Sequence, residues 1–191
     1  MKTGISVFTE MVLLAVMICC GTSRADVDAS CYWEAAHSGD PVAQCALGWC
    51  YAYGKGVPEN AAKYAEWNLR AARQGHVPAM FNMGHFYYNG KGVPRDRELA
   101  FMWYRRAAEK GHVGALNHLG NIHCSEKNYT EAYFWFARAA SAGSADAMFQ
   151  LGRLYEIGMG VKKSVSQAVV WYRRAAANGC GSADLALARL C

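Results

Sequence analysis

The chain has 191 residues and a formal net charge of +5, and 53% of its residues are hydrophobic. This composition supplies enough apolar side chains for a folded core, so it excludes the disordered and fibrous classes of protein. The basic residues form no long run, and at most two are adjacent, as at Arg105 and Arg106. We therefore do not expect a nucleic-acid-binding surface.

The N-terminal segment has the order of a secretory signal peptide. Lys2 precedes an unbroken apolar run, Met11 to Cys20, and the small residues Ser23 and Ala25 follow it. The apolar run is about half as long as a membrane-spanning helix requires. We predict a signal peptide over residues 1–25.

The mature chain, residues 26–191, is then an exported protein, which would be periplasmic or secreted in a bacterium. One alternative is a lipoprotein modified at Cys19 or Cys20, although the residues before them lack the small side chain of a lipoprotein signal. The other alternative is the lumen of a eukaryotic secretory pathway, where Asn128 in the sequence Asn-Tyr-Thr would accept a glycan.

The mature chain is built from a repeated pattern. Aligned on a Leu-Gly pair or its equivalent, it gives four repeats, residues 41–76, 77–112, 113–144 and 145–180, with half-repeats at both ends. The third repeat is shorter because "CSEKNY" replaces a connector of the "NGKGVPRD" type. The deletion therefore falls in a loop and leaves both flanking helices intact.

Each repeat predicts two helices. The first places apolar and small residues at helical spacing, and a glycine-rich connector ends it. The second carries a tryptophan that precedes two alanines, whose small side chains allow close helix packing; these tryptophans are Trp67, Trp103, Trp135 and Trp171. Because one helix pair cannot bury its apolar faces alone, successive pairs must stack. We predict an all-α solenoid of about ten helices.

These motifs resemble Sel-one-like repeats, which are relatives of tetratricopeptide repeats. The resemblance rests on the order small residue, Leu-Gly, aromatic, Gly-x-Gly-Val, and then aromatic-Tyr-Arg-Arg-Ala-Ala-x-x-Gly, and it covers about Cys31 to Cys191. It implies a right-handed α-solenoid of stacked antiparallel helix pairs. It also implies a scaffold or adaptor for another protein or peptide. From the residues themselves we expect no cofactor, no nucleic acid and no integral membrane segment in the mature chain.

The resemblance places the first helix of each pair on the concave surface of the stack. One position there, directly after Leu-Gly, changes its chemistry in every repeat while the neighbouring positions stay apolar or small. The position four residues earlier shares the same helical face. We predict a partner-binding face of aromatic, amide and charged side chains: Trp49, Tyr53, Phe81, His85, Asn89, Asn117, Asn121, Phe149, Arg153, Glu156 and Arg189. The alternative is that this face is merely exposed and unconstrained.

The repeat register also suggests a disulfide. Cys31 stands in the column of the repeated tryptophans, and Cys50 stands in a column that is apolar in every repeat. The two lie at similar distances from the turn at Gly39–Pro41, so they face each other in an antiparallel helix pair. We predict a Cys31–Cys50 disulfide, with two buried free thiols as the alternative. No pairing is predicted for Cys45, Cys124, Cys180 and Cys191.

The motifs of phosphate and metal sites are incomplete. A phosphate-binding loop needs Gly-Lys followed by Ser or Thr, but Lys55 is followed by Gly56. His118 and His123 are five residues apart, whereas two ligands on one helical face are spaced by three or four. We expect neither a metal site nor an enzyme.

The alternative function comes from cysteine-rich members of the same repeat family, which are described as binding or hydrolysing β-lactams. Cell-wall components are a related class of ligand. A serine β-lactamase needs Ser-x-x-Lys, which the mature chain lacks, and its Lys-Thr-Gly at residues 2–4 lies in the predicted signal peptide. Those members also have a regular pair of cysteines in each repeat, which this sequence does not have.

Overall fold

The computed structural model describes residues 28–190, and over this range the chain forms ten α-helices and no strand. The predicted all-α class is therefore confirmed, whereas the predicted signal peptide lies outside the described residues. The helices are α1 (Ser30–His37), α2 (Pro41–Tyr53), α3 (Ala61–Arg73), α4 (Val77–Asn89), α5 (Arg97–Glu109), α6 (Val113–Ser125), α7 (Tyr129–Ser141), α8 (Ala145–Ile157), α9 (Val165–Ala177) and α10 (Gly181–Leu190).

Consecutive helices pack against each other within two compact units, whose boundary falls inside α5 between Trp103 and Tyr104. In the N-terminal unit, α2 packs against α1 and α3, and α3 packs against α4. In the C-terminal unit, α6 packs against α7, α7 against α8, α8 against α9, and α9 against α10. This packing of neighbours along the chain is the arrangement expected of an α-solenoid.

Polar side chains cap the start of several helices, and glycines end most of the first helices. The carboxylate of Asp40 accepts hydrogen bonds from the amides of Val42 and Ala43, at 2.7 and 3.2 Å, at the start of α2. Gly54, at the end of α2, has a φ of 63° and closes the helix in the left-handed conformation. The connector glycines thus have the role that the sequence predicted.

The short connector of the third repeat ends its first helix without a glycine. Lys127 adopts a φ of 62°. Within residues 28–190, every other residue with a positive φ is a glycine. The backbone N–H of Lys127 donates to the carbonyl of Cys124, and the N–H of Asn128 donates to the carbonyl of His123. The hydrogen bonds of a normal helix end are therefore kept, but a side chain stands where glycine is preferred.

The core consists of the small and aliphatic residues that repeat in sequence. Leu47, Leu119 and Leu151 of the first helices are fully buried, and so are most of the paired alanines of the second helices, such as Ala107 and Ala108. Trp67, Trp103 and Trp135 are also buried. The alanines permit close approach of neighbouring helices, as the spacing predicted.

An aromatic ring of the second helix packs on the glycine of the Leu-Gly pair. In the third repeat, an ideal Cβ on Gly120 would lie 2.5 Å from Cε1 of Phe136. In the fourth repeat, the same distance separates a Cβ on Gly152 from Cε1 of Tyr172. A larger residue at either glycine would overlap the ring, so this close approach requires glycine.

The first repeat replaces the aromatic ring with a buried amide. Asn68 faces Gly48, and its Nδ2 donates to the carbonyl oxygen of Tyr64 at 2.9 Å. Its Oδ1 accepts from Nδ2 of Asn82 at 2.9 Å and from the thiol of Cys45 at 3.5 Å. The amide is fully buried and its hydrogen bonds are satisfied, as a polar group in a core requires.

No helix among the described residues is long and apolar enough to cross a bilayer, the longest having 13 residues.

Candidate partner-binding surface

In the N-terminal unit, the predicted binding residues form aromatic pairs along the first helices. On α2, the rings of Trp49 and Tyr53 lie 4.8 Å apart, and Tyr53 is 59% exposed. On α4, the rings of Phe81 and His85 lie 4.7 Å apart in a T-shaped arrangement. The Nδ2 of Asn89 donates to the carbonyl oxygen of His85, one turn earlier. Each pair is spaced by four residues, so the two side chains share one helical face.

In the C-terminal unit, the predicted face contains a groove of about 360 Å³. Residues of α6 form one wall, residues of α8 form the other, and the ring of Phe136 from α7 also lines it. Three predicted residues lie in this groove: Asn117, Asn121 and Phe149. Gly114, His118, Asp146 and Gln150 complete the lining.

Asn117 joins the two walls of the groove. Its Nδ2 donates to Oγ of Ser144 at 2.8 Å, and the same hydroxyl accepts the backbone N–H of Ala147 at the start of α8. The Oδ1 atom of Asn117 is buried and has no hydrogen-bond partner in the described part of the chain. The groove wall therefore holds an acceptor without a donor, which is uncommon for a buried polar atom.

The negative and positive side chains near the groove, Asp146 and Arg153, do not form an ion pair with each other. Asp146 is exposed, and no described ion pair includes it. Arg153 lies about two turns further along α8, where its guanidinium donates to Oε1 of Gln150 at 3.2 Å. The ring of His118 stacks on Tyr104 at 5.0 Å, and burial lowers the pKa of the His118 imidazole. Since this keeps His118 neutral at pH 7, the carboxylate of Asp146 is the charge within the groove lining.

Glu156 and Arg189, two further residues of the predicted face, bind each other. Nη2 of Arg189 lies 2.7 and 2.9 Å from the two carboxylate oxygens of Glu156. The hydroxyl of Tyr172 donates to Oε2 of Glu156 at 2.7 Å. The carboxylate of Glu156 thus joins α8, α9 and α10, and it has a structural role that the sequence did not predict.

The structure places several groove residues that the sequence analysis did not select. Asp146 lies three residues before Phe149, and Gln150 lies four residues after Asp146, so Asp146 is at helical spacing from both of the other side chains. Helical spacing was the signal that could have found them. His118 was considered only as a metal ligand, and no cluster of three or more candidate metal ligands is found within residues 28–190.

The predicted cysteine pair lies in one cluster at the N-terminal end of the described chain. Cys50 is fully buried among Tyr32, Leu47 and Tyr51, and Cys31 packs against the same cluster. Both are free thiols in the structure. Burial raises the pKa of the Cys50 thiol to about 12, so this thiol is protonated in the reduced protein. The disulfide between them stays a prediction.

The paired helices and their repeated contacts define a helical-repeat protein of the α-solenoid class. A family model described as the Sel1 repeat matches residues 41–76, 77–112, 113–144 and 145–180. The chain therefore belongs to the Sel1 repeat family, and the family assignment from sequence is confirmed. Sel1 repeat proteins are generally scaffolds for protein interactions.

Solved structures of this family are similar to the chain. A protective antigen of uropathogenic Escherichia coli with an SLR fold is 31% identical, with a TM-score of 0.84 over 93% of this chain and 39% of that chain. A Sel1 repeat protein from Oxalobacter formigenes is 39% identical, with a TM-score of 0.76 over 80% of this chain and 64% of that chain. The chain thus spans less than two thirds of the length of either protein.

A Pseudomonas aeruginosa protein with 21% identity and a TM-score of 0.56 shares the fold over 95% of this chain and 70% of its own. A comparison with curated proteins found no significant match.

Proposed function

We propose that this protein is an exported, non-catalytic scaffold that binds another protein through the first helices of its repeats. The observation that carries the proposal is the contrast between two helical faces. One face repeats the same buried residues, whereas the other presents a different accessible side chain in each of the four repeats, Trp49, His85, Asn121 and Arg153, and a second arginine, Arg189, in the last half-repeat. A surface that varies on a constant core is suited to recognising a partner of irregular sequence.

The chemistry of this face supports recognition of a peptide or helix. Aromatic side chains supply large contact areas, and amide and guanidinium groups supply hydrogen bonds that set orientation. The exposed ring of Tyr53 beside Trp49 and the groove between α6 and α8 offer both kinds of contact. The family's general role as a protein scaffold points in the same direction.

Export is proposed from the order of the N-terminal sequence. Lys2, the apolar run from Met11 to Cys20 and the small residues before Asp26 together form a secretory signal. N-terminal sequencing of the protein from its native host tests this part of the proposal. A mature N-terminus near Asp26 is expected, whereas a chain that keeps Lys2 would contradict export.

The binding proposal is tested by a cross-linking pull-down from the native host. The mature chain is compared with a face variant in which Trp49, His85, Asn121 and Arg153 are all replaced by alanine. Circular dichroism must show that the variant keeps the helical content of the native chain. Enrichment of a partner by the native chain and its loss with the face variant are expected; the same proteins with both would contradict the proposal.

A further inference from the structure

We infer that the groove between α6 and α8 is a site for an arginine side chain in an extended segment of the partner. The inference rests on the proposed protein-binding function and names the chemistry that this part of the surface recognises. It starts from two groups that line the groove. The Oδ1 atom of Asn117 has no hydrogen-bond donor, and the carboxylate of Asp146 has no cation paired with it, among the described residues.

The first observation is the unsatisfied amide of Asn117. Its Nδ2 donates to Oγ of Ser144, the residue that caps the N-terminus of α8. Its Oδ1 is then buried at the groove wall without a partner among the described residues. A ligand that brings N–H groups into the groove can satisfy this acceptor after a small rotation of the amide.

The second observation is the charge of the groove. The carboxylate of Asp146 is exposed at its edge, and the described chain contains no cation paired with it. The imidazole of His118 does not oppose a cation, because burial lowers its pKa and leaves the ring neutral. A positive ligand is therefore complementary to this end of the groove.

The third observation is an aromatic wall beside the carboxylate. Phe149 lies one turn after Asp146 on α8, and its ring is held against Tyr172 at a centroid distance of 5.4 Å. A guanidinium is planar, stacks on aromatic faces and binds carboxylates through two parallel hydrogen bonds. It also carries five donors and no acceptor, which matches a groove in need of donors.

The charge of Arg153 determines at which end of the groove the partner's arginine binds. The guanidinium of Arg153 is bound to Oε1 of Gln150, so a positive charge already stands beyond the Gln150 side of the groove. The repulsion between like charges directs the partner's arginine towards Asp146. The partner backbone then passes beside Asn121, whose exposed amide can both donate and accept.

The inference is tested by titrating the full mature chain with the blocked tripeptide acetyl-Gly-Arg-Gly-amide. The matched probe replaces arginine by citrulline, which keeps the shape and removes the charge. Two-dimensional nitrogen–proton NMR reports directly on the side-chain amides of Asn117, Asn121 and Gln150. Saturable shifts of these three signals are expected with the arginine peptide, and binding of the citrulline peptide should be weaker by about fivefold or more.

Two protein variants complete the test. Asp146→Asn keeps the side-chain shape and should weaken arginine-peptide binding by about fivefold or more. Asp184→Asn changes an exposed carboxylate in the first turn of α10, outside the groove, and should leave binding unchanged. Equal binding of the two peptides, equal binding by native chain and Asp146→Asn, or no shift at the three amides would overturn the inference.

The pull-down separates this inference from the proposed function. A host partner that is captured equally by the native chain and Asp146→Asn, but lost with the face variant, overturns the arginine site and leaves the protein-binding function standing. Peptide binding in the groove together with host proteins that are insensitive to the face variant overturns the proposed function instead.

Discussion

The ring of Tyr172 occupies the space in which a side chain on Gly152 would stand, with 2.5 Å between its Cε1 and the ideal Cβ position. The hydroxyl of the same tyrosine donates to Glu156, whose carboxylate also binds Arg189. The packing of one glycine against one ring therefore sets the position of two residues on the predicted binding face. It explains why the repeats place glycine after leucine in the middle of a helix.

The first prediction follows from this contact. Gly152→Ala should lower the free energy of unfolding by up to about 2 kcal/mol. Displacement of the Tyr172 ring by the new methyl group costs about 1–3 kcal/mol, and the gain of about 1 kcal/mol in helix propensity from glycine to alanine offsets part of that cost. Urea denaturation followed by circular dichroism measures the difference.

Gly181→Ala provides the matched control. Gly181 also lies in a first helix, α10, but an added Cβ there meets no atom within 4 Å. The control variant should be as stable as the native chain or slightly more stable. If Gly152→Ala were equally harmless, the ring contact would not constrain the glycine.

The repeated parts of the fold were predictable because each depends on residues close in sequence. The spacing of leucine, glycine, tryptophan and paired alanine predicts two helices and the faces that they bury. The structure contains these helices and buries most of these residues, although Trp171 and Ala176 are only partly buried. The hydrogen bonds around Asn68 could not be predicted in this way. They depend on Asn82 and Cys45, which lie on two other helices and carry no local signal.

The candidate site was predictable only in part for the same reason. The helical face of Asn117, Asn121 and Phe149 follows from spacing, and the structure places these three residues in one groove. The pairing of Glu156 with Arg189 joins residues 33 positions apart. Such a contact depends on how α8 and α10 stack, which the pattern within one repeat does not specify.

The second prediction concerns the connector of the third repeat. Lys127→Gly should raise the free energy of unfolding by about 0.5–1 kcal/mol, because the residue already has a φ of 62°, where a Cβ is disfavoured. Thermal or urea unfolding detects this change. The control is Lys162→Gly in the connector of the fourth repeat, whose φ is not positive, and this change should not stabilise the protein. Equal effects of the two substitutions would contradict the account.

The third prediction is a loss of stability in mild acid. Burial lowers the pKa of His112 and of His118 below the ordinary value of 6.5. The unfolded chain therefore binds protons more readily, so this stability is complete above pH 6.5 and is lost as the pH falls through the lowered values. The free energy of unfolding should decrease between pH 7.5 and pH 5, as urea denaturation at several pH values can show.

His112 gives the sharper variant for this test. Its Nδ1 accepts the N–H of Ala115 at 3.2 Å at the start of α6, and protonation removes that acceptor. His112→Asn keeps an N-cap acceptor that does not titrate, so its stability should depend less on pH. If the free energy of unfolding of His112→Asn depended on pH as strongly as that of the native chain, burial of the His112 ring would not be a cause of the loss of stability in acid.

The fourth prediction is that the protein, if it is exported as proposed, contains a Cys31–Cys50 disulfide. Cys50 belongs to the cluster at the N-terminal end of the described chain and Cys31 packs against it, and closing this loop would stabilise the fold by about 3 kcal/mol. Peptide mapping of unreduced protein should find the two cysteines in one linked pair of peptides. Alkylation of both thiols without prior reduction would show that they are free. The double variant Cys31→Ser, Cys50→Ser should be less stable than the oxidised native chain.

The central claim is that the first helices of the repeats bind the partner, and the most direct measurement is the dissociation constant of the captured partner. Three chains are compared: the native protein, the face variant, and a matched variant with alanine at four exposed positions of the second helices, Arg73, Glu98, Glu131 and Arg173. The account predicts binding weaker by about tenfold or more for the face variant and native affinity for the matched variant. Native affinity of the face variant, or a greater loss with the matched variant, would place the partner on another surface and contradict the claim.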